Sequence, residues 1–455
     1  MFSTIPVKVK KIKTKNICIK TAIPAPGTQK ILNTLKKNEV RSMHGQLPII
    51  WDKAKDFNVF DIKGNQYIDF TSTIFVANIG HSNPRLKKYV INTIKGNLIN
   101  TYAYPSKIRD QYLNKLLKFS GNYFNKAYLL SSGSEAIEAC IKIIRLNAIK
   151  KSKGFGIITV SGNWHGRTTG SQLLSDNKNQ SEWIKYNNKQ IYHLRFPYPW
   201  ILKKAGKTSI EILDEDLNNL SKKINIGKEI SGVILETFQG WGALFYPKAY
   251  VKKLSLFCKK YNILLAFDEI QAGFGRTGKK FGFEHYGVRP DMICCGKGIG
   301  GGIPLSALIG KKKYLDIPKI GSMSSTHSAN PVACAAGIAV IDEIIKKKLV
   351  QQSNEKGKVL NRGLIDLKFK YKDIIELTSC KGLIAAIIFK KKKDINKLVA
   401  KVCEKCMQKG LLVVYTGRES IKLGPPLIIS NSALKESLGI IEDAIHEVFN
   451  MQIKK

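Results

Sequence analysis

The sequence predicts an α/β protein in which a large domain, built on a mainly parallel sheet flanked by helices, is joined to a smaller α+β domain. Three observations support this prediction. Short β-branched runs alternate with longer amphipathic segments of helical period between Ala127 and Cys295. Most of these runs end in a small, polar or acidic residue. After about residue 340 the pattern changes to long, lysine-rich helices with few strands.

Size and composition agree with a globular protein. The chain has 455 residues, 44% of them hydrophobic, and no apolar run approaches the length of a membrane span. The net charge of +41 is unusual, but the lysines are spread along the whole chain and their densest clusters are short. We therefore predict a cytoplasmic protein that binds neither membrane nor nucleic acid. Its basic surface would attract anionic substrates and cofactors.

The nine cysteines indicate no metal site. Cys403 and Cys406 have CxxC spacing, but the sequence lacks a second such pair, and both fall on an amphipathic pattern typical of a packed helix. Cys294 and Cys295 lie in an apolar run typical of reduced core residues. The first 15 residues are basic and contain neither arginine nor a clear apolar segment, so we interpret them as a loose arm.

The predicted elements follow in chain order. Residues 51–70 form a pair of strands joined at Gly64 and Asn65. The strands expected in the large sheet are Ala127–Leu130, Phe155–Val160, Gly232–Leu235, Ile263–Phe267 and Met292–Cys295. A helix from Tyr250 to Lys260 connects the third strand to the fourth, and two later strands are Leu383–Phe389 and Leu411–Val414. The predicted domains are an N-terminal arm and small-domain segment (1–80), the large domain (81–335) and the C-terminal small domain (336–455).

Chemistry-bearing residues follow several of these strands. In a parallel sheet the carboxyl ends of the strands meet at one edge, where ligands bind. The residues expected to converge there are Ser132–Ser134, Trp164–Arg167, Glu236, Asp268 and Lys297.

Lys297 is the candidate catalytic residue. It follows an apolar strand, and glycines at 296, 298, 300, 301 and 302 leave space around it. An amine in such a place is suited to imine formation with an aldehyde. The aldehyde cofactor pyridoxal phosphate needs three further features, namely an anion site, a carboxylate at its ring nitrogen and a flat group over its ring.

Each feature has a candidate, and each candidate has a structural alternative. Ser132, Gly133 and Ser134 lie at a strand-to-helix turn, where free N–H groups can hold a phosphate, although Ser134 could instead cap the helix. Asp268 ends an apolar strand and could pair with a protonated ring nitrogen or cap a neighbouring helix. Trp164, next to His165, could stack on the cofactor or belong to the core.

Taken together, these segments resemble the class III pyridoxal-phosphate aminotransferases, the family of the ornithine, acetylornithine and 4-aminobutyrate transaminases. The resemblance runs from about residue 45 to the C-terminus. Seven segments carry it, in the family's order: LLSSGSEAIEACIK, NWHGRTTG, ETFQGWGA, LLAFDEIQAGFGRTGK, GKGIGGGIPLSALIG, SSTHSANP and IKLGPPLII. It implies the type I fold of pyridoxal-phosphate enzymes, with a seven-stranded sheet in the large domain.

The resemblance also implies roles for individual residues. Lys297 would carry the cofactor as a Schiff base and move the substrate proton, and Asp268 would bind the pyridine nitrogen. Gln271 would bind the phenolic oxygen, with Glu236 near the ring. Gly133 and Ser134 would hold the phosphate, and Trp164 and His165 would adjoin the ring.

The resemblance further implies a homodimer with shared active sites, because Thr326 matches a threonine that reaches the phosphate of the neighbouring subunit. The reaction would move an amino group from an amino donor to a 2-keto acid by a ping-pong Schiff-base mechanism. The donor could be an ω-amino or α-amino acid such as 4-aminobutyrate, acetylornithine or ornithine.

The substrate site departs from the family pattern. Arg167 matches an arginine that binds a substrate carboxylate. The family's gate of a glutamate and an arginine is replaced by Trp241 and Lys422, and a lysine cannot reproduce the planar contact of arginine. Arg418 is a possible substitute guanidinium.

These departures leave two alternatives open. One is a racemase or decarboxylase that uses the same fold and cofactor. The other is a basic nucleic-acid-binding protein on an inactive enzyme fold.

Overall fold

The computed structural model describes residues 2–121, 123–184 and 190–453. Numbered in chain order, the β-strands are β1 Ile12–Lys13, β2 Cys18–Ile19, β3 Trp51–Lys55, β4 Asn58–Asp61, β5 Gln66–Asp69, β6 Lys126–Leu130, β7 Gly156–Val160, β8 Ile191–Leu194, β9 Ile230–Glu236, β10 Phe238–Gln239, β11 Leu244–Phe245, β12 Leu264–Asp268, β13 Met292–Cys295, β14 Ser306–Gly310, β15 Ile375–Lys381, β16 Ile384–Phe389, β17 Leu411–Leu412, β18 Val414–Tyr415 and β19 Ser420–Leu423.

The helices are α1 Thr28–Asn38, α2 Ser72–Phe75, α3 Pro84–Lys95, α4 Lys107–Phe119, α5 Gly133–Lys150, α6 Thr169–Leu174, α7 Lys178–Ser181, α8 Pro199–Ala205, α9 Ser209–Ser221, α10 Ile226–Glu229, α11 Lys248–Lys260, α12 Lys312–Leu315, α13 Pro331–Lys346, α14 Leu349–Lys370, α15 Ile395–Gln408 and α16 Asn431–Ile453. Short 3-10 turns cover Arg41–Met43, Gly282–Tyr286 and Lys297–Ile299. The single turn α2 has a left-handed backbone, with positive φ at every residue from Ser72 to Phe75.

A seven-stranded sheet forms the centre of the large domain, in the order β6-β14-β13-β12-β9-β7-β8. Only β14 runs antiparallel to its neighbours in this sheet. The central strands β9, β12 and β13 are buried along their whole length, as expected for a sheet covered by helices on both faces. The prediction of a mainly parallel sheet is confirmed.

Five of these strands are predicted from the sequence, whereas β8 and β14 are not. The antiparallel strand β14 begins only a few residues after the glycine-rich segment that follows Lys297. No helical crossover separates it from β13, so the alternation of strand and helix that indicated the other strands is absent there.

A second, antiparallel sheet has the order β15-β16-β19-β18, and α14 packs against β15. The predicted hairpin at Gly64 and Asn65 is present as β4 and β5. The later strand β17 pairs in parallel with β5, so the N-terminal segment and the C-terminal third share a sheet. The domain limits of 1–80, 81–335 and 336–455 stay a prediction.

The interpretation of the N-terminus as a loose arm is wrong. Val7 pairs with Ile23 in an isolated bridge, and β1 pairs with β2. Ile17 and Ile19 are buried in the main core cluster, and the backbone N–H of Ser3 donates to Glu404. The surrounding lysines conceal this short apolar alternation in the sequence.

Neither a membrane span nor a metal cluster is found in the described part of the chain. Within residues 2–121, 123–184 and 190–453, no helix has both the length and the apolar character needed to cross a bilayer. Over the same residues, no group of three or more His, Cys, Asp or Glu side chains could hold a metal ion. Cys403 and Cys406 are buried on α15.

Candidate active site

The strand register places two carboxylates side by side at the carboxyl edge of the sheet. Asp268, the last residue of β12, lies opposite Glu236, the last residue of β9. Both are buried. Because burying an ionised carboxylate without partners is costly, the hydrogen bonds of these two side chains define the site.

His165 is the main partner of Asp268. Its Nδ1 lies 2.8 Å from Oδ2 of Asp268, while Oδ1 accepts from the backbone N–H of Ile270 at 3.0 Å. The other ring nitrogen, Nε2, lies 3.2 Å from the Asn163 amide nitrogen. These contacts fix the orientation of the buried Asp268 side chain.

Glu236 links the strand β9 to two loops. Its Oε2 accepts from the backbone N–H groups of Trp164 (2.9 Å) and Gly240 (3.2 Å), and its Oε1 accepts from Nε2 of Gln271 (3.1 Å). Burial raises the pKa of Glu236, and the nearby Asp268 raises it further, while His165 opposes the shift. The carboxyl group can therefore gain a proton more easily than an exposed glutamate.

Lys297 follows β13 and has a left-handed backbone, with φ at +48°. Its amine forms no hydrogen bond with another described residue, and burial lowers its pKa while Asp268 and Glu236 oppose that shift. The neighbouring glycines allow close packing: a Cβ on Gly298 would come 2.5 Å from the amide nitrogen of Asn78. Lys297 is therefore a partly desolvated amine beside two carboxylates, as a nucleophilic lysine requires.

The N-terminus of α5 leaves two backbone N–H groups free to bind a ligand. The backbone N–H groups of Gly133 and Ser134 have no hydrogen-bond acceptor among the described residues, as is usual for the first turn of a helix. Ser132 caps the helix by accepting from the backbone N–H of Glu135, so the alternative of capping by Ser134 is wrong. A Cβ on Gly133 would come 2.9 Å from Ile270, so the loop needs glycine there.

Trp164 and Arg167 lie against one another next to the N-terminus of α5. The guanidinium carbon of Arg167 is 4.7 Å from the centre of a Trp164 ring, a cation–π contact. The backbone N–H of Arg167 donates to Oγ of Ser134 at 3.4 Å, and the side chain of Arg167 is exposed. The arginine is therefore available to a substrate anion.

Lys422 points from β19 to Gln271. Its Nζ donates to Oε1 of Gln271 at 3.0 Å and lies 4.6 Å from the ring centre of Phe75. Lys422 is buried, and no carboxylate among the described residues forms an ion pair with it. Burial and the neighbouring Lys297 lower its pKa, whereas Glu236 opposes the shift.

Trp241 and Arg418 form a wall near β19. The indole Nε1 of Trp241 donates to Oε1 of Gln239 (2.9 Å) and to the hydroxyl of Tyr198 (3.2 Å). The guanidinium of Arg418 lies 3.7 Å from the Trp241 ring centre and donates twice to Glu419. Arg418 pairs with its neighbour Glu419, and its role as a substitute guanidinium stays a prediction.

Thr326 is not joined to this cluster. Its side chain is exposed, and no hydrogen bond links it to Lys297, Asp268 or any other described residue. This position is compatible with a contact to a second subunit.

Sequence reasoning missed two neighbours of the site. Phe75 contacts Lys422 from the left-handed turn α2, which lacks the glycine or asparagine that normally indicates such a backbone. Tyr198, in the segment FPYPW, binds Gln239 and Trp241. The dense aromatic residues of this segment are the one sequence feature that could have indicated a place near the site.

Comparison with known proteins identifies the family. The family described as Aminotransferase class-III matches residues 40–445. The chain belongs to the class III aminotransferases. An acetylornithine aminotransferase of Caldanaerobacter subterraneus subsp. tengcongensis is 32% identical to it over 422 residues, covering 91% of this chain and 99% of the relative. A 4-aminobutyrate aminotransferase of Escherichia coli is 29% identical, covering 89% and 95% respectively.

A solved structure supports the fold. A transaminase of the marine bacterium Virgibacillus superimposes with a TM-score of 0.85 at 22% identity, covering 93% of this chain and all of the other. The predicted type I fold of pyridoxal-phosphate enzymes is confirmed. All three relatives are aminotransferases, so they give no support to the racemase, decarboxylase or nucleic-acid-binding alternatives.

The protein is a pyridoxal-phosphate-dependent class III aminotransferase. The donor set of the site fits this cofactor: a desolvated amine, a buried carboxylate, free N–H groups at the start of a helix, and an indole ring.

Proposed function

We propose that this aminotransferase moves an amino group between an amino acid and a 2-keto acid in the cytoplasm, with Lys297 as its catalytic residue. The observation that carries the proposal is the desolvated amine of Lys297 next to Asp268, whose carboxylate His165 holds at 2.8 Å. When bound, pyridoxal phosphate supplies an aldehyde for the amine and a ring that takes up electron density from the substrate.

The residues of the site have separate roles in this proposal. The N–H groups of Gly133 and Ser134 bind the phosphate, with Ser132 holding the helix start in place. Asp268, oriented by His165, would bind the protonated ring nitrogen, and Trp164 would stack on the ring. The amine of Lys297, once free, would take the proton from the amine-bearing substrate carbon and deliver it to the aldehyde carbon of the cofactor. Gln271 would bind the ring oxygen, with Glu236 nearby.

The substrate class follows from the cations around the site. Arg167 is exposed and carries no carboxylate partner among its contacts, so it can bind a substrate carboxylate. Lys422 is a second basic side chain, buried and without an ion-pair partner in the described chain. With relatives that act on acetylornithine and 4-aminobutyrate, this supports a carboxylate-bearing amino donor and a keto-acid acceptor. Trp241, which contacts Arg418 and Gln239, would border the bound substrate.

We also infer a homodimer with shared sites. Thr326 is exposed and unattached to the cluster of its own chain, as expected for a residue that serves the phosphate of a partner subunit. Exposed apolar side chains at Ile99, Tyr104 and Ile320 support burial against a second copy.

The experiment that tests the function has two parts. Borohydride reduction of the purified protein with pyridoxal phosphate, followed by peptide mass spectrometry, should place the cofactor on Lys297. A panel of amino donors (acetylornithine, ornithine, 4-aminobutyrate, alanine and glutamate) should then convert the bound cofactor to its amino form, seen as loss of the visible absorbance. An adduct on another lysine, or no response to any donor, would refute the proposal.

A further inference from the structure

The buried amine of Lys422 contacts the active site through Gln271. The amide of Gln271 lies between two groups of opposite hydrogen-bonding character, since its Oε1 accepts from Lys422 at 3.0 Å and its Nε2 donates to Glu236 at 3.1 Å. The amine of Lys422 is the donor in the first contact, and a carboxylate oxygen of Glu236 is the acceptor in the second. These two contacts favour one orientation of the amide, with its oxygen toward Lys422 and its nitrogen toward Glu236.

This orientation has a consequence for the cofactor cavity. The amide nitrogen of Gln271 carries two hydrogens, and Glu236 accepts one of them. The second hydrogen therefore lies at the Glu236 end of the amide and is free to bind the oxygen of the cofactor ring. A flipped amide would place its own oxygen at that end, and two acceptor oxygens would repel one another.

The position of Lys422 is itself fixed. The ring of Phe75 lies 4.6 Å from its Nζ, and Phe75 is held by the turn α2, where Oγ of Ser72 donates to the carbonyl of Gly424 at 2.6 Å. A Cβ on Gly424 would come 2.1 Å from the Phe75 ring, so β19 and α2 are in close contact. The amine of Lys422 is thus held between the ring of Phe75 and the amide of Gln271.

The charged groups around Lys422 come from several elements. Lys297 follows β13, Glu236 ends β9 and Asp268 ends β12 with His165 against it, while Arg276 lies 5.7 Å from the same Phe75 ring. Burial lowers the pKa of Lys422, and the charge of Lys297 lowers it further.

We propose that Lys422 is a positioning residue, which donates to Oε1 of Gln271 and so holds the amide of Gln271 with its nitrogen toward Glu236. The proposal rests on the proposed function and adds a role that needs no substrate. It differs from substrate binding by Lys422, which would act only when a carboxylate is present.

The test is a pH titration of the visible absorbance of the enzyme loaded with pyridoxal phosphate, recorded without substrate. Lys422→Met removes the donor at similar length. We expect the pH of half-deprotonation at Lys297 to rise by about one unit, because the released amide of Gln271 no longer holds a hydrogen toward the ring oxygen that it is proposed to bind. Lys422→Arg keeps a donor and should titrate close to the unchanged enzyme. If Lys422→Met fails to fold, Lys422→Leu provides the same comparison.

Lys356→Met is the matched control, because Lys356 is also half-buried and donates to a glutamine, Gln352, at 2.7 Å. Its titration should be unchanged. Bound cofactor with an unchanged titration in Lys422→Met would overturn this inference and leave the proposed function intact. Failure of the unchanged protein to bind the cofactor at all would instead refute the proposed function, and the inference with it.

Discussion

Nδ1 of His165 lies 2.8 Å from Oδ2 of Asp268, and both side chains are buried. The proton position on His165 is assigned from the surrounding network. Asn163 directs its amide nitrogen to Nε2 of His165, because its own oxygen accepts from Gln239 at 3.0 Å. Nε2 is then the acceptor and Nδ1 the donor. A chain of hydrogen bonds thus continues from Trp241 through Gln239, Asn163 and His165 to Asp268.

Replacing His165 should weaken cofactor binding. His165→Leu leaves Asp268 with only the Ile270 N–H as a donor, so its carboxylate loses both orientation and stabilisation. Loss of a hydrogen bond to a buried charged group costs about 1.5–3 kcal/mol. We expect the dissociation constant of pyridoxal phosphate to rise at least tenfold, measured by absorbance titration. His44→Leu, which is remote from Asp268 in its contacts, is the control and should bind normally.

Gly240→Ala should impair the site without unfolding the protein. A Cβ there would come 2.6 Å from Nε2 of Gln271 and 2.8 Å from Oε1 of Glu236. Both atoms are the ends of flexible side chains, so they can move away at a small cost in stability. Once they have moved, the hydrogen bond between Gln271 and Glu236 no longer has the same geometry. We expect kcat/KM to fall about tenfold with little change in Tm. Gly439→Ala, in α16 with open space around it, should keep activity and gain about 0.5–1 kcal/mol. Equal loss of activity in both variants would contradict this account.

The sequence predicts the strand ends well and the contacts between distant segments poorly. Asp268 and Glu236 end apolar runs, so their place at one edge follows from the parallel sheet alone. The register that pairs them, and the turn that brings Phe75 to Lys422, depend on packing between segments far apart in the chain. Gln271 and Lys422 are 151 residues apart, and nothing local to either residue indicates their contact.

Glu269 should make stability depend on pH. It is fully buried and accepts from Thr237, Gly282 and Phe283, yet burial raises its pKa to about 7. A raised pKa means that the folded state binds the proton more tightly than the unfolded state. The stabilisation is therefore present below about pH 4.5 and is lost as pH rises towards 7.

Glu269→Gln removes this titration. Relative to that variant, the unchanged protein should lose about 2–3 kcal/mol of unfolding free energy between pH 5 and 8. Chemical denaturation at a series of pH values measures the difference. Glu376→Gln, an exposed substitution on β15, is the control and should show no such slope. A constant difference between the unchanged protein and Glu269→Gln would show that Glu269 does not titrate in this range.

Arg276 should be essential for joining the large domain to the C-terminal strands. It is fully buried, and its guanidinium donates to the carbonyls of Leu383 and Pro425 and to Oδ1 of Asn78. Arg276→Met leaves these acceptors unpaired inside the protein, and each such loss costs about 1–3 kcal/mol. We expect the free energy of unfolding to fall by at least 3 kcal/mol in urea denaturation. Arg362→Met, at an exposed position of α14, should change the free energy of unfolding by less than about 0.5 kcal/mol.

The Arg276→Met variant should also release the cofactor before it unfolds, because Asn78, which accepts from Arg276, lies against Gly298 beside Lys297. Simultaneous loss of cofactor and of structure would contradict this order.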